Sequence, residues 1–461
     1  MANLIEPKVL KGFRDFLPVA ELIRRELTEK IETSFRSFGF VPIDTPALEY
    51  AEILLGKGGG ETEKQIYRFK DNGGRDVALR FDLTVPFARF TALHYAELCF
   101  PFKRYHIGKV WRGENAQRGR YREFTQCDFD IIGSDSPAAD FEILLMIRET
   151  MRRLGVSVNI KINHRGLFNR FLSHIGQKEN SVEILRAVDK IAKAGMEETE
   201  KALAAISGDA NARKILEFTG AGNESPGFEE NLDRIMELSG GPSPESERLA
   251  ALWRFMSDAA GKDGGNAGSG VFSLDPSITR GLDYYTGVVF ETFLTEVPGI
   301  GSICSGGRYD NLAGLYSKNM ISGVGSSIGL DRLIAALESL DRLPGRDACA
   351  AAAIACLREE DSGLYQALAG QFRSAGIPCE VFLEAAFPAG TGENADARHD
   401  ARHLVKQYVL AEKKGLRWMI LPGGAPSGGP LTLRDLESRQ NHEKITVSEA
   451  VQIINNTRNI K

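Results

Sequence analysis

Hydrophobic spacing predicts a helix near the start of the chain and short strands after it. Between positions 20 and 35 the apolar residues recur at helical intervals and share one face: Leu22, Ile23, Leu27, Ile31 and Phe35. Residues 39–50 (GFVPIDTPALEY) place β-branched and aromatic residues between prolines, which predicts a short strand. After a glycine-rich break at 56–60, residues 65–69 and 76–84 alternate polar and apolar positions around Asn-Gly-Gly at 72–74, which predicts a β-hairpin.

A second, longer hairpin is predicted further along the chain. Residues 102–112 (FKRYHIGKVWR) and 122–133 (REFTQCDFDIIG) are both predicted to be extended, and the polar loop 113–121 joins them. Helices are predicted on either side, over about 86–97 and 140–154, followed by a strand over 156–164.

The pattern changes after residue 165. Helical periodicity dominates residues 166–270, broken by loops rich in Ser, Gly and Pro, so this stretch is predicted to be an α-helical insertion. Strand patterns return over 271–294 and 302–316, and residues 322–337 predict a strand that leads into a helix. Beyond a candidate linker at 343–345, residues 348–423 alternate as β-α-β-α-β, which predicts a small α/β domain.

Composition narrows the class of protein. The chain has 461 residues, enough for about two to four domains, and 43% apolar with 26% charged residues is globular composition. The longest apolar run, 348–357, is about half of what a membrane span needs, and the first residues contain no apolar signal core. Six cysteines without a Cys-x-x-Cys pair favour neither a disulfide framework nor a cysteine zinc site. We therefore expect a reduced, cytoplasmic protein without a membrane segment.

Charge is distributed unevenly along the chain. The net charge is −5, but residues 401–461 hold ten Lys and Arg against five Asp and Glu, which leaves about −10 on the remainder. A basic C-terminal part is compatible with local nucleic-acid binding and equally with a solvated helix face. The charge pattern by itself leaves both interpretations open.

Arginines near the long hairpin are the first candidate functional residues. Arg112 ends the first predicted strand, Glu114 follows it, and three further arginines lie in the loop and the returning strand: Arg118, Arg120 and Arg122. The rigid guanidinium fork suits the oxygens of a phosphate group, and the ring of Phe124 offers a surface on which a base can stack.

The returning strand carries polar residues at every second position. Gln126, Asp128 and Asp130 alternate with Cys127 and Phe129, so the three polar side chains share one face. Such a face is either the floor of a pocket or the wet surface of an antiparallel sheet, and the pattern does not separate the two.

Three further strings join glycines to an arginine. They are RGLDYYTG at 280–287, SGGRYD at 305–310 and GVGSSIGLDR at 323–332. None fits a Walker A or Gly-x-Gly-x-x-Gly signature in its strand–turn–helix setting, so neither a P-loop nor a dinucleotide site is predicted. The string HDARH at 399–403 has zincin-like spacing, but its Asp in place of Glu and its Ala/Gly/Asp-rich surroundings disfavour a metalloprotease. No metal site is predicted.

Taken together, these strings resemble the class II aminoacyl-tRNA synthetases and, among them, the histidyl-tRNA synthetases. Pro46 with its preceding helix is similar to motif 1, residues 109–133 to motif 2, and residues 323–333 to motif 3. Residues 280–291 and 305–312 are similar to the two signature strings of the histidine enzymes. The resemblance implies an α+β fold, with a class II antiparallel-sheet catalytic core, a helical insertion and a C-terminal α/β anticodon-binding domain. It divides the chain into core at 1–165 and 271–342, insertion at 166–270 and anticodon-binding domain at 346–461.

The same resemblance implies a reaction. L-Histidine and ATP, which carries Mg²⁺, form histidyl-adenylate, and the histidyl group passes to the 3′ end of tRNA(His) on a homodimeric enzyme. Arg112 and Arg280 are the expected catalytic residues at the α-phosphate, and Arg332 is expected at the γ-phosphate. Glu114 and Phe124 fit the adenine-reading and stacking positions.

For the amino acid, the resemblance implies two groups of side chains. Asp82, Thr84 and Gln126 are expected at the ammonium group, while Asp130, Tyr284 and Tyr285 are expected at the imidazole nitrogens. The alternative within the same fold is a catalytically inactive paralogue, the regulatory subunit of ATP phosphoribosyltransferase. The presence of all three arginines and of about 115 residues after Gly345 favours the enzyme.

Overall fold

The computed structural model describes most of the chain. The described residues are 4–56, 65–114, 119–188, 195–221, 227–259, 271–278, 285–310, 313–316, 321–344, 348–386, 397–423 and 429–458, without the side chains of 397–403 and 458. They divide into two compact units: residues 1–15 with 27–343, and residues 16–26 with 344–461. No helix among the described residues is long and apolar enough to cross a membrane.

The first unit is built on an eight-stranded sheet with the order β1-β5-β6-β11-β10-β9-β7-β8. Its strands are β1 (Val41–Pro42), β5 (Phe102–Trp111), β6 (Glu123–Ile132), β7 (Val158–His164), β8 (Phe272–Leu274), β9 (Val288–Leu294), β10 (Cys304–Tyr309) and β11 (Gly323–Gly329). The six central strands pair antiparallel, and the two edge strands β1 and β8 pair parallel with their neighbours. A separate three-stranded antiparallel sheet has the order β2-β4-β3, formed by Leu48–Tyr50, Asp76–Leu79 and Arg68–Lys70.

Helices cover the sheet and form the stretch between β7 and β8. They are α1 (Pro18–Ser37), α2 (Ala51–Leu55), α3 (Thr84–Leu93), α4 (Pro137–Arg153), α5 (Arg165–His174), α6 (Ser181–Val188), α7 (Met196–Ser207), α8 (Asp209–Gly220), α9 (Phe228–Leu238), α10 (Pro244–Ala259) and α11 (Leu330–Ser339). The ring of Phe228 stacks on Trp253 with 4.9 Å between centroids, and Arg248 Nε donates to Asp140 Oδ2 at 2.6 Å, which joins α10 to α4.

Strand β6 separates the core from a polar face. Cys127 and Phe129 are fully buried, and the ring of Phe129 lies 4.7 Å from that of Phe35 on α1. The residues between them point to the opposite side of the sheet because side chains alternate along a strand. The predicted two-faced pattern therefore becomes a core on one side and the polar face described below on the other.

The second unit contains a five-stranded mixed sheet with the order β13-β12-β14-β15-β16. Its strands are β12 (Ala352–Ile354), β13 (Cys379–Val381), β14 (Trp418–Leu421), β15 (Leu431–Asp435) and β16 (Asn441–Ile445), and its helices are α12 (Ser362–Ser374), α13 (Ala397–Lys413) and α14 (Val447–Arg458). Ile354, Phe372, Met419 and Leu433 are fully buried in its core.

The α+β class and the order of the main elements agree with the sequence prediction, and three details differ. Residues 39–50 form two strands in two different sheets, because Pro42 ends β1 and Pro46 precedes β2. Helix α3 begins at Thr84 rather than near Pro86. The C-terminal unit continues past the predicted β-α-β-α-β with two antiparallel strands and a helix that the sequence analysis missed.

Candidate active site

A cavity of about 380 Å³ opens on the polar face of the eight-stranded sheet. Five of its lining residues are those expected to bind the amino acid: Asp82, Thr84, Gln126, Asp130 and Tyr285. Four more are those expected to bind the nucleotide: Arg112, Glu114, Phe124 and Arg332. Nine candidate residues from distant parts of the sequence therefore meet in one place. The other two, Arg280 and Tyr284, lie outside the described residues, as does Arg118 of the loop.

One end of the cavity is cationic. Arg112 is positioned by a hydrogen bond from its Nε to the carbonyl of Phe81 at 2.9 Å, and its guanidinium lies 5.2 Å from the centroid of the Phe124 ring. Arg332 donates to the carbonyl of Ser302. Burial, with the nearby charges of Arg120 and Arg112, lowers the pKa of Arg332 to about 10, so the side chain remains a cation at neutral pH.

Clustered cations of this kind repel one another unless an anion lies between them. Arg120, which the sequence analysis placed in the cluster without assigning it a role, also lines the cavity. Its nearest carboxylate is that of Glu114, 3.9 Å away, and half of its side chain remains exposed. The arrangement suits a polyphosphate, because guanidinium groups bind phosphate oxygens in pairs.

Another part of the cavity wall is acidic, and its first carboxylate, that of Asp82, is fixed by a helix. Asp82 is 1% exposed, and its Oδ1 accepts the backbone N–H of Val85 at 3.1 Å in the first turn of α3. A carboxylate is favoured there because the first amides of a helix have no intrahelical acceptor. Thr84, the first residue of α3, lines the cavity beside it.

Asp130 is held by two buried partners. Its Oδ1 accepts the hydroxyl of Tyr309 at 2.6 Å, and its Oδ2 lies 2.6 Å from Nη2 of Arg104, a fully buried arginine directly opposite on β5. Burial raises the pKa of Asp130, while Arg104 and the Tyr309 hydroxyl oppose that rise. The carboxylate is therefore fixed in position and compensated by a buried positive charge.

Two glycines make room for these side chains. A Cβ added to Gly325, which faces Asp130 across β11 and β6, would lie 1.9 Å from Oδ1 of Asp130. A Cβ on Gly307 would lie 2.9 Å from Cδ1 of Tyr285. The glycines of two of the sequence strings are thus required by close packing at the cavity wall and do not form a phosphate-binding turn.

Asp128 also lines the cavity, between Gln126 and Asp130 on β6. The alternation of residues 126–130 had placed it on this face, but the sequence analysis gave it no role. Burial, opposed by Arg104 and reinforced by Asp130, raises the pKa of Asp128 to about 7. Tyr121 and Glu291 are two further lining residues that the sequence analysis did not single out.

Arg308 of the SGGRYD string does not line the cavity. Its guanidinium is 2% exposed and pairs with the fully buried Asp140, with Nη2 2.6 Å from Oδ1. Asp140 in turn accepts Nε of Arg248 on α10. Arg308 thus connects strand β10 to helix α4 and, through Asp140, to helix α10.

Metal binding by the HDARH string is not resolved by the structure. Residues 399–403 lie in α13, and their side chains are outside the described residues. Elsewhere in the described ranges, no group of three or more His, Cys, Asp or Glu side chains is arranged to hold a metal ion.

Comparisons with known proteins point to one family. A family model described as histidyl-tRNA synthetase matches residues 12–333. The histidine–tRNA ligase of Treponema denticola is 50% identical over 472 residues, covering 100% of both chains, and that of Treponema pallidum (strain Nichols) is 48% identical over 448 residues, covering 96% of each. The crystal structure of histidyl-tRNA synthetase from Nostoc sp. PCC 7120 is similar with a TM-score of 0.79 and 28% identity, covering 98% of this chain and 100% of that one. The chain therefore belongs to the histidyl-tRNA synthetase family.

Proposed function

We propose that the protein is a histidine–tRNA ligase. A carboxylate oxygen of L-histidine attacks the α-phosphorus of ATP, the bond to the β-phosphate breaks, and diphosphate leaves with histidyl-adenylate remaining bound. A ribose hydroxyl at the 3′ end of tRNA(His) then attacks the histidyl carbonyl, and AMP leaves. The observation that carries this proposal is that one cavity is lined by both an arginine cluster and a group of buried carboxylates.

The arginines act on charge that develops during the first step. Negative charge increases on the α-phosphate oxygens and on the leaving diphosphate in the transition state, so fixed cations stabilise that state more than the ground state. Arg112 contacts the α-phosphate and the histidine carboxylate, with Arg280 as the second cation there, and Arg332 binds the γ-phosphate. Phe124 stacks on the adenine ring, and the carboxylate of Glu114 accepts a hydrogen bond from the adenine amino group.

Mg²⁺ accompanies ATP as part of the substrate. Its preferred ligands are oxygens, and the cavity supplies the carboxylate of Glu291, which interacts electrostatically with Arg332. The ion neutralises phosphate charge when bound.

The acidic wall selects the amino acid. Asp82, Thr84 and Gln126 bind the ammonium group, and Asp130 with Tyr284 and Tyr285 reads the imidazole nitrogens. A wall built to hydrogen-bond two ring nitrogens rejects amino acids that lack them, because the protein groups are then left buried without partners.

The remaining parts of the chain bind tRNA and contribute to the formation of a homodimer. Residues 166–270 form the insertion domain that contacts the acceptor arm, residues 346–461 form the anticodon-binding domain, and residues 1–165 with 271–342 form the core. The net +5 on residues 401–461 supports contact with a polyanion. The protein acts as a cytoplasmic homodimer.

Histidine-dependent exchange of labelled pyrophosphate into ATP tests the proposal. The purified protein is expected to catalyse exchange with L-histidine and Mg²⁺ and with none of the other nineteen amino acids. Arg112→Ala is expected to abolish exchange, whereas Arg152→Ala, which removes a largely exposed arginine on α4, leaves it unchanged. Absence of exchange by the wild type, with stimulation of an ATP phosphoribosyltransferase instead, would establish the regulatory alternative.

A further inference from the structure

Two acceptor atoms on the polar face of β6 are buried with neither a hydrogen-bond donor nor an ion-pair partner among the described residues. Within the described residues, Oδ1 of Asp128 and Oε1 of Gln126 have no hydrogen-bond partner, and their side chains line the cavity. Asp128 is 1% exposed and Gln126 is 8% exposed. Buried acceptors are almost always paired in native proteins, so an unpaired couple on a cavity wall indicates a ligand that supplies the donors.

The orientation of Gln126 is set by the protein. Its Nε2 donates to the hydroxyl of Ser327 on the adjacent strand at 2.9 Å, which leaves Oε1 as the atom available to a ligand. Asp128 stands two residues further along the same face of the strand. The two acceptors are thus presented side by side.

Electrostatics favours a cationic ligand. Asp82, Asp128 and Asp130 are all nearly fully buried, and the fully buried Arg104 forms its ion pair with Asp130. The charges that act on Asp128 come from Arg104 on β5, from Arg80 after β4, from Asp130 on its own strand and from Asp82 ahead of α3. Arg104 is engaged by Asp130, so a positive charge on the ligand would compensate the buried carboxylate of Asp128.

We propose that Asp128 joins Asp82, Thr84 and Gln126 in binding the α-ammonium group of the amino-acid substrate. This assignment rests on the proposed function and adds a residue to the set that the family resemblance implies. An ammonium group matches the wall because it offers three donors and one positive charge, whereas a neutral imidazole offers one donor and none of the charge. Asp130, already paired with Arg104 and Tyr309, is left to the ring.

Two histidine analogues separate the alternatives. Histidinol keeps the ammonium and the imidazole but lacks the carboxylate, and 3-(imidazol-4-yl)propionate keeps the imidazole and the carboxylate but lacks the ammonium. Each is measured as a competitive inhibitor of pyrophosphate exchange with the full-length wild type, with Asp128→Asn, and with Asp233→Asn, an exposed control on α9.

The expected pattern is selective. Asp128→Asn is expected to weaken the binding of histidinol and of histidine by about tenfold or more, as expected for a lost charge-assisted hydrogen bond. The inhibition constant of 3-(imidazol-4-yl)propionate and the KM for ATP are expected to stay unchanged. If Asp128→Asn weakened the binding of both analogues equally, Asp128 would contact the imidazole. If it changed the binding of neither, Asp128 would have only a structural role. Both outcomes overturn the proposal. If the wild type shows no histidine-dependent exchange, the proposed function itself fails.

A measurement on the wild type keeps the proposal testable if Asp128→Asn does not fold. Calorimetric titration near pH 7 in buffers of different ionisation enthalpy counts the protons exchanged on binding. Histidinol is expected to release more protons than 3-(imidazol-4-yl)propionate, because a cation beside Asp128 drives its ionisation. Equal proton release by the two ligands would contradict the assignment.

Discussion

Replacement of Gly325 by alanine perturbs the amino-acid wall through a single methyl group. The added Cβ would lie 1.9 Å from Oδ1 and 2.3 Å from Cγ of Asp130, and 2.9 Å from the backbone oxygen of Phe129. The carboxylate cannot rotate away freely, because Tyr309 holds one oxygen and Arg104 the other. Gly325→Ala therefore has to displace Asp130 or spread strands β6 and β11.

The magnitude follows from what the carboxylate loses. Separating a buried ion pair costs about 3–5 kcal/mol, and overpacking a core costs about 1–3 kcal/mol. Reduced backbone freedom of the unfolded chain offsets about 0.5–1 kcal/mol of this. We expect Gly325→Ala to lower the free energy of unfolding by about 3–7 kcal/mol. A displaced Asp130 also loses its hydrogen bond to the ligand, so kcat/KM for histidine falls by about ten- to a hundredfold.

Urea unfolding and pyrophosphate exchange measure the two effects separately. Gly220→Ala at the end of α8 is the control, since its added Cβ would meet no atom within 4 Å. This control is expected to change neither the unfolding free energy by more than about 1 kcal/mol nor the exchange rate. If Gly325→Ala behaved like the control in both assays, the packing argument for Asp130 would be refuted.

Three further predictions address other parts of the first unit. Arg308→Met removes one of the two arginines that pair with the buried Asp140, while Arg248 remains, and is expected to destabilise the protein by about 1–3 kcal/mol in urea unfolding; an unchanged free energy of unfolding would contradict a structural role. Because the pKa of Asp128 is raised to about 7, the folded state binds more protons than the unfolded state from about pH 4 to 7. Wild-type stability should thus fall with rising pH relative to Asp128→Asn over that range, and parallel pH profiles would disprove this. Arg14 donates to the hydroxyl of Tyr121 at 2.9 Å and pairs with Asp331, and both of these residues line the cavity. Arg14→Ala is therefore expected to raise the KM for ATP several-fold and to leave the KM for histidine unchanged. A raised KM for histidine with an unchanged KM for ATP would contradict this prediction.

Local patterns predicted the part of the site that lies on one strand. The alternation of residues 126–130 placed three polar side chains on one face, and the structure resolves the open choice between a pocket floor and a wet surface in favour of the pocket. This succeeded because the two-residue period of a strand is a local property. The long hairpin that presents this face, β5 with β6, was predicted within one residue at each of its ends.

Contacts between distant segments were not accessible in the same way. The pairing of Asp130 with Arg104 depends on the register of β5 against β6, and its bond to Tyr309 depends on a strand 179 residues away. Arg308 lies in a glycine-rich string, as Arg280 and Arg332 do, yet its guanidinium is buried against Asp140 of α4. Sequence spacing shows which face a residue occupies on its own element and does not show what that face meets.

The start of α3 illustrates a smaller limit. Proline favours the first turn of a helix, which suggested a start near Pro86, but the helix begins at Thr84. Asp82 accepts the N–H of Val85 and satisfies one of the first amides. The residue that stabilises this helix start is thus also a residue of the cavity wall.

A crystal structure with histidine and a non-hydrolysable ATP analogue is the most direct test of the central claim. The account predicts both ligands in the one cavity, with the triphosphate between Arg112 and Arg332 and the amino acid against Asp82, Asp128 and Asp130. A nucleotide bound away from the two arginines, or an amino acid whose ammonium group faces away from the β6 carboxylates, would contradict it.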